Sequence, residues 1–210
     1  MRRALVAAGI LGLLAGCTAG ADSKSAAVPD RPAAERSGSP DDAARGSSTE
    51  RLVAAAGMAR CPQVLPVYGA APSGLPGVTL RCLGAGPGVL LSALRGPAVV
   101  NLWASWCSPC REEMPRLQAL HTRAGSRLLV LGVVTDDDPN RALSTAGALG
   151  VHYASVLDVE GAVRRSYGYP GPPITLLVDR NGTVVRRIPG PLPSLPELTA
   201  AVSRYLSVRV

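Results

Sequence analysis

The 210-residue chain has no phenylalanine, one lysine (Lys24), two histidines and only 3% aromatic residues. Each scarcity excludes something. Its basic residues are scattered and have few aromatics among them, so no nucleic-acid partner is expected despite a net charge of +7. Every cation except Lys24 is Arg, and with 23 Gly and 19 Pro this reads as codon bias before it reads as a binding surface. His121 and His152 have no ligand-like partner, whereas a zinc site on a cysteine pair would need about two further ligands. No apolar run reaches the roughly 20 residues of a membrane-spanning helix. What is present is a chain 47% hydrophobic, long enough for one domain with a sizeable core. It also holds five cysteines, an odd number that asks for an explanation in an exported protein.

The N-terminus offers one. Met1-Arg2-Arg3 is a short positive segment, and Ala4 to Leu13 is an apolar run of export-signal length. Leu14-Ala15-Gly16-Cys17 resembles the lipobox of bacterial lipoproteins. That resemblance implies a signal peptide over 1–16, cleavage before Cys17 and lipidation of its thiol, which leaves four cysteines for other work. Residues 17–57 are rich in Ala, Ser, Gly, Pro and charge, with no apolar period before Leu52-Val53. Such a stretch buries too little to offset its ordering entropy, so a disordered tether is expected. About forty flexible residues would span roughly 35 Å.

The folded part is expected over 58–210, with 58–88 as an N-terminal extension. Ala98-Val99-Val100-Asn101-Leu102-Trp103 and Leu128 to Val134 read as strands buried on both faces. Ser108 to Ala124, Pro139 to Leu149, Glu160 to Tyr167 and Ser194 to Leu206 read as helices, the second with N-cap candidates at Asp136 to Asp138. Ser155-Val156-Leu157 is a short strand. Ile174 to Val178 and Val184 to Ile188 flank Arg180-Asn181-Gly182, a hairpin signal. Strand and helix alternate first and a hairpin comes last. The fold class is therefore α/β, a central mixed sheet flanked by helices.

The chemistry is concentrated at Trp106-Cys107-Ser108-Pro109-Cys110. A Cys-x-x-Cys that follows a buried strand and opens a helix has the setting of a redox dithiol. At the helix N-terminus, unpaired N–H groups and the dipole favour a thiolate at Cys107, making it the attacking sulfur. Cys110, one turn in, would resolve the mixed disulfide. Pro109 suits a first helical turn, having no N–H to lose.

The run from Val100 through Trp106-Cys107-Ser108-Pro109-Cys110 to Glu112-Glu113-Met114-Pro115 resembles the active-site signature of the thioredoxin superfamily, specifically of TlpA/ResA-like thiol–disulfide oxidoreductases. Gly171-Pro172-Pro173-Ile174-Thr175, followed by Asn181-Gly182, is similar to that family's Gly-x-Pro-x-Thr strand. The resemblance covers about residues 75 to 206 and implies a thioredoxin fold. It implies Cys107 as nucleophile, Cys110 as resolving thiol and Pro173 as the superfamily's cis-proline beside the dithiol. Trp106, Pro172 and Pro173 then face substrate, Pro172 through its backbone. It assigns Pro115 to a helix kink and Glu113 to the proton traffic of Cys110. Asn101 stands where thioredoxin itself has a buried Asp. An amide exchanges no proton, which makes Glu113 the more plausible acceptor.

Cys61 and Cys82 precede the redox strand beside turn residues. An even pair in an exported chain reads as a structural disulfide, worth roughly 3 kcal/mol for a loop of about twenty residues. A relay pair feeding Cys107, and two free thiols, are the other readings. The function expected is that of a membrane-tethered, extracytoplasmic monomer that reduces disulfides in partner proteins, for example apocytochrome c or misoxidised envelope proteins. Its electrons would come from a membrane thiol carrier, with no bound cofactor and no metal. A copper-delivery module of the Sco type shares the fold but uses Cys-x-x-x-Cys and a distant His, and no His stands close before Pro173. A peroxidase on this fold would have a different cysteine context.

Overall fold

The two strands read as buried on both faces lie side by side at the centre of a seven-stranded sheet in the computed structural model, which describes residues 40–65 and 74–210. The expected signal, Cys17 and the tether before Pro40 lie outside the described residues. In chain order the elements are α1 (Pro40–Ala56), β1 (Thr79–Cys82), β2 (Val89–Leu90), β3 (Ala98–Trp103), α2 (Ser108–Ala124), β4 (Leu129–Thr135), α3 (Pro139–Ala148), β5 (Ser155–Asp158), α4 (Ala162–Ser166), β6 (Ile174–Val178), β7 (Val184–Pro189) and α5 (Leu195–Leu206). The strand order is β2-β1-β5-β4-β3-β6-β7. β3, β4 and β5 are parallel, while β6, β7 and β1 join antiparallel. This is the mixed sheet with helical cover that the resemblance implies.

Side chains alternate across β3 with period two, so one run feeds two cores. Val99 and Trp103 meet Met114, Leu117 and Leu120 of α2 and Leu198, Val202 and Leu206 of α5. Ala98, Val100 and Leu102 face the other way, with Leu91, Leu94 and Val163. β6 and β7 form the hairpin that Asn181-Gly182 predicts, Gly182 taking φ +86°. β7 is an edge strand, and Arg186 and Arg187, on its opposite faces, lie over the rings of Tyr205 and Tyr167.

The structure corrects the tether at its C-terminal end. Residues 40–56, expected to be disordered, form α1. Its last turns are apolar, and Leu52, Val53 and Ala56 pack into the core that also holds Ala142, Leu143 and Ala146 of α3. Thr49 Oγ1 donates to Asn140 Oδ1 (3.0 Å), and His152 Nδ1 lies 2.9 Å from the Ala56 carbonyl. These contacts are tertiary, and a reading of periodicity over the whole segment does not register them. No helix among the described residues is long and apolar enough to cross a membrane.

In the extension, β1 pairs antiparallel with β5 and with β2. Cys61 and Cys82 are disulfide-bonded, with Cα atoms 5.9 Å apart, so the bond ties the segment after α1 to the end of β1.

Candidate active site

β3 ends at Trp103, and the chain turns through Ala104, Ser105 and Trp106 into α2. Asp137, buried at the end of β4, fixes this turn: its carboxylate accepts from the Ser105 backbone N–H and from Ser105 Oγ (2.9 Å). Arg111 closes the loop from the other side, donating to the Ser105 carbonyl (2.9 Å). Trp106 remains 54% exposed, with its indole N–H donating to the Asp136 carbonyl (2.9 Å).

Cys107 is the N-cap of α2, and its sulfur accepts from the Cys110 N–H (3.2 Å). Cys107 and Cys110 form a disulfide, with Cα atoms 5.3 Å apart. Cys107 retains 5% exposure and Cys110 none, so the first sulfur is the one that can be reached. The Cys110 N–H and the positive end of the helix face the Cys107 sulfur, the environment that lowers a thiol pKa. Pro109 falls in the first turn, where no intrahelical N–H is required, and Pro115 lies inside the helix.

β6 runs beside β3, with Ile174 opposite Leu102, which brings the preceding Pro173 to the end of the sheet that carries the dithiol. The Pro172–Pro173 peptide bond is cis and Pro173 is buried. Gly190 donates to the Pro173 carbonyl (3.0 Å).

Under the first turns of α2 lies a buried carboxyl. Glu113 is fully buried, whereas Glu112 is exposed. Asn101 Nδ2 donates to Glu113 Oε1 (2.8 Å) and also lies 3.0 Å from Thr175 Oγ1. The Leu192 backbone N–H donates to Oε2 (2.7 Å). Burial pushes the Glu113 carboxyl above the usual carboxylate value, opposed by these two hydrogen bonds and by the charge of Arg116. Tyr153, fully buried, is pushed well above the usual phenol value by burial and by the charge of Glu113. Sequence reading identified Asn101 only as the residue that cannot exchange a proton. In the structure it holds the one that can. Leu192 and Tyr153 were not anticipated, and nothing in their local sequence marks them.

The sequence-derived residues therefore separate into one cluster and one distant pair. Cys107, Cys110, Trp106, Glu113, Pro172 and Pro173 lie at the end of β3 and the start of β6. Cys61 and Cys82 lie on the far side of the sheet, with β5 and β4 between β1 and β3. Among the described residues no three His, Cys, Asp or Glu side chains group as metal ligands do.

The Redoxin family profile matches residues 72–202. A thiol:disulfide interchange protein DsbE homologue of Paracoccus denitrificans is 39% identical over 123 residues, 52% of this chain and 65% of that protein. The thiol:disulfide interchange protein HelX of Rhodobacter capsulatus is 35% identical over 120 residues, 56% of this chain and 66% of that protein. The chain thus spans somewhat under two thirds of the length of these relatives. A crystal structure of a secreted Mycobacterium tuberculosis disulfide oxidoreductase shares the fold, with a TM-score of 0.53, 23% identity, and coverage of 61% of this chain and 96% of that one. A family match over most of the chain agrees with a helix-capping Cys-x-x-Cys beside a cis-proline: the chain belongs to the Redoxin family, among its TlpA/ResA-like thiol–disulfide oxidoreductases of thioredoxin fold.

Proposed function

We propose that the protein is an extracytoplasmic thiol–disulfide oxidoreductase, held at the membrane through lipidated Cys17, that reduces disulfides in partner polypeptides. The observation that carries this reading is the pairing of an accessible Cys107 at the cap of α2 with a buried Cys110 one turn inside. In the reduced protein the Cys107 thiolate attacks one sulfur of a substrate disulfide, and the other substrate sulfur leaves as a thiolate that takes a proton. Cys110, after losing its proton to Glu113, attacks the Cys107 sulfur. The second substrate thiol departs, and the Cys107–Cys110 disulfide holds the oxidising equivalents of the two electrons given up. A membrane thiol carrier returns those electrons. Trp106 and the Pro172–Pro173 segment flank the dithiol and receive an extended substrate chain; Pro172, having no N–H, can offer only its carbonyl. The relatives named as thiol:disulfide interchange proteins support the chemistry. The TlpA/ResA-like resemblance favours the reducing direction and cysteine pairs such as those of apocytochrome c.

A Cys110→Ser variant, expressed in cells in its full-length form, tests this reading. Without the resolving thiol, Cys107 is expected to accumulate as mixed disulfides with its partners. These adducts should disappear on treatment with dithiothreitol and be absent when Cys107 is also replaced. An adduct-free variant that is folded and reduced would overturn the assignment. The anchor is tested separately. Cys17→Ala is expected to move the protein from the membrane to the soluble fraction with its reductase activity retained, and equal membrane retention would remove lipidation from the account.

A further inference from the structure

Trp106 is a large, half-exposed indole immediately before the nucleophile, and it borders a groove lined also by Arg141, Ser144 and Thr145. An exposed ring is useful as a binding wall only if something fixes it. Among the described residues, the indole N–H donates to the carbonyl of Asp136. The Asp136 backbone sits at φ +51°, in the left-handed region that disfavours a residue with a Cβ. Two further features hold it there. Arg164 Nε pairs with Asp136 Oδ2 at 2.9 Å, both side chains being partly sheltered. Gly161 leaves the room: a Cβ on it would stand 2.4 Å from Asp136 Oδ1. The same Arg164 reaches in a second direction. Its Nη1 donates to the carbonyls of Tyr169 (2.9 Å) and Pro170 (3.1 Å), in the segment that leads into Pro172–Pro173. One guanidinium thus joins the residue that holds the Trp106 indole to the segment that leads into Pro173, and none of these bonds involves a sulfur.

We propose that Asp136 and Arg164 are positioning residues, which hold Trp106 and the segment before Pro173 as two walls that a polypeptide disulfide meets on reaching Cys107. The inference rests on the reading of the protein as a polypeptide disulfide reductase. Sulfur exchange itself needs neither residue. A small disulfide, which touches no wall, should therefore be indifferent to them, whereas a polypeptide should not.

The test uses the purified full chain, kept reduced by excess dithiothreitol whose own uncatalysed rate is subtracted, with insulin as polypeptide probe and 2-hydroxyethyl disulfide as small probe. Arg164→Met, which keeps the aliphatic stem, is expected to raise the KM for insulin about tenfold while kcat stays within about twofold. The rate with 2-hydroxyethyl disulfide and the Cys107–Cys110 potential should not change. Arg164→Lys should recover only part of the loss, since one ammonium cannot reproduce the fork that spans both walls. Trp106→Phe keeps a ring and removes the donor. Combined with Arg164→Met, it should raise KM by less than the product of the single effects. An unchanged KM, a parallel loss with both probes, or full multiplicativity would overturn the proposal. Failure of the unmodified protein to reduce insulin would instead strike the functional reading. The positioning is then still read by acrylamide quenching of Trp106, the exposed one of the two tryptophans. About a twofold rise in quenching is expected in Arg164→Met, and no change would overturn the proposal.

Discussion

Glu113→Gln is expected to slow resolution of the mixed disulfide by about a hundredfold or more at neutral pH, the usual scale of general-base catalysis, while Glu112→Gln leaves the rate unchanged. The argument begins at Cys110. It is fully buried, and burial disfavours its thiolate. The helix dipole, strongest within the first turn, helps the capping Cys107 more than a sulfur one turn further in. A proton acceptor inside the protein is therefore needed. Glu113 follows Cys110 by three residues, hence on the same helix face, and it is buried, whereas Glu112 is exposed. Its raised pKa brings the carboxyl closer to the pH at which thiols exchange, which makes it a better-matched base than an exposed carboxylate. Glutamine suits the test because it preserves shape. Its carbonyl can accept from Leu192, and its amide can face Asn101, whose Oδ1 has no hydrogen-bond partner among the described residues. Stopped-flow kinetics across pH should show an inflection for the wild type that Glu113→Gln lacks. Indistinguishable profiles for the two glutamine variants would end this assignment.

The same carboxyl has a thermodynamic signature of fixed sign. Its pKa is higher in the fold than in the unfolded chain, where the ordinary value is 4.5. Stability from this group is thus fully present below the unfolded value and is lost as pH rises through the folded one. Gln does not titrate. The thermal stability of Glu113→Gln relative to wild type should therefore improve as pH rises from 4 through that window, and a difference independent of pH would contradict it.

Replacing Cys61 and Cys82 together by Ser is expected to lower stability by about 3 kcal/mol, near two powers of ten in the folding constant and about 6 to 12 °C in Tm, with most of the reductase activity kept. The bond joins residues 21 apart and holds β1, an outer strand, to the segment that follows α1. β1 lies three strand spacings from β3, or about 14 Å across the sheet, too far for sulfur exchange with the dithiol without unfolding the edge. Protein lacking Cys107 and Cys110 should still contain one disulfide. A loss of activity as deep as that of Cys107→Ser, in a folded double variant, would make the pair a relay instead.

What could be read from sequence depended on how far apart the cooperating residues stand. β3, α2 and the dithiol were legible because a continuous buried run, a capping position and a Pro-containing first turn all fall within residues 98–110. β1 was missed because its four residues bury a single side chain fully, Leu80, so no alternation stands out. α1 was missed because the apolar residues it gives the core, Leu52, Val53 and Ala56, come at the end of a segment rich in small and charged residues. At the site, Glu113 was found through its motif, but its hold was not. Asn101 lies 12 residues away and Leu192 79 residues away, on different elements. The Arg164–Asp136 pair joins residues 28 apart. Such partnerships are made by the chain's path through space, and local spacing carries no trace of them.

The two outer strands have a consequence for the proposed work on extended, partly unfolded chains. Such clients offer free backbone donors and acceptors, and an open sheet border is a template for them. At one border β2 is only two residues long, too short to seed an added strand. At the other, β7 ends in Pro189, which cannot donate, and its two adjacent arginines stand on opposite faces, each drawn over a tyrosine ring. A client chain is thereby discouraged from zipping onto either side. It can be engaged at the dithiol and released again, without the enzyme becoming the nucleus of an aggregate.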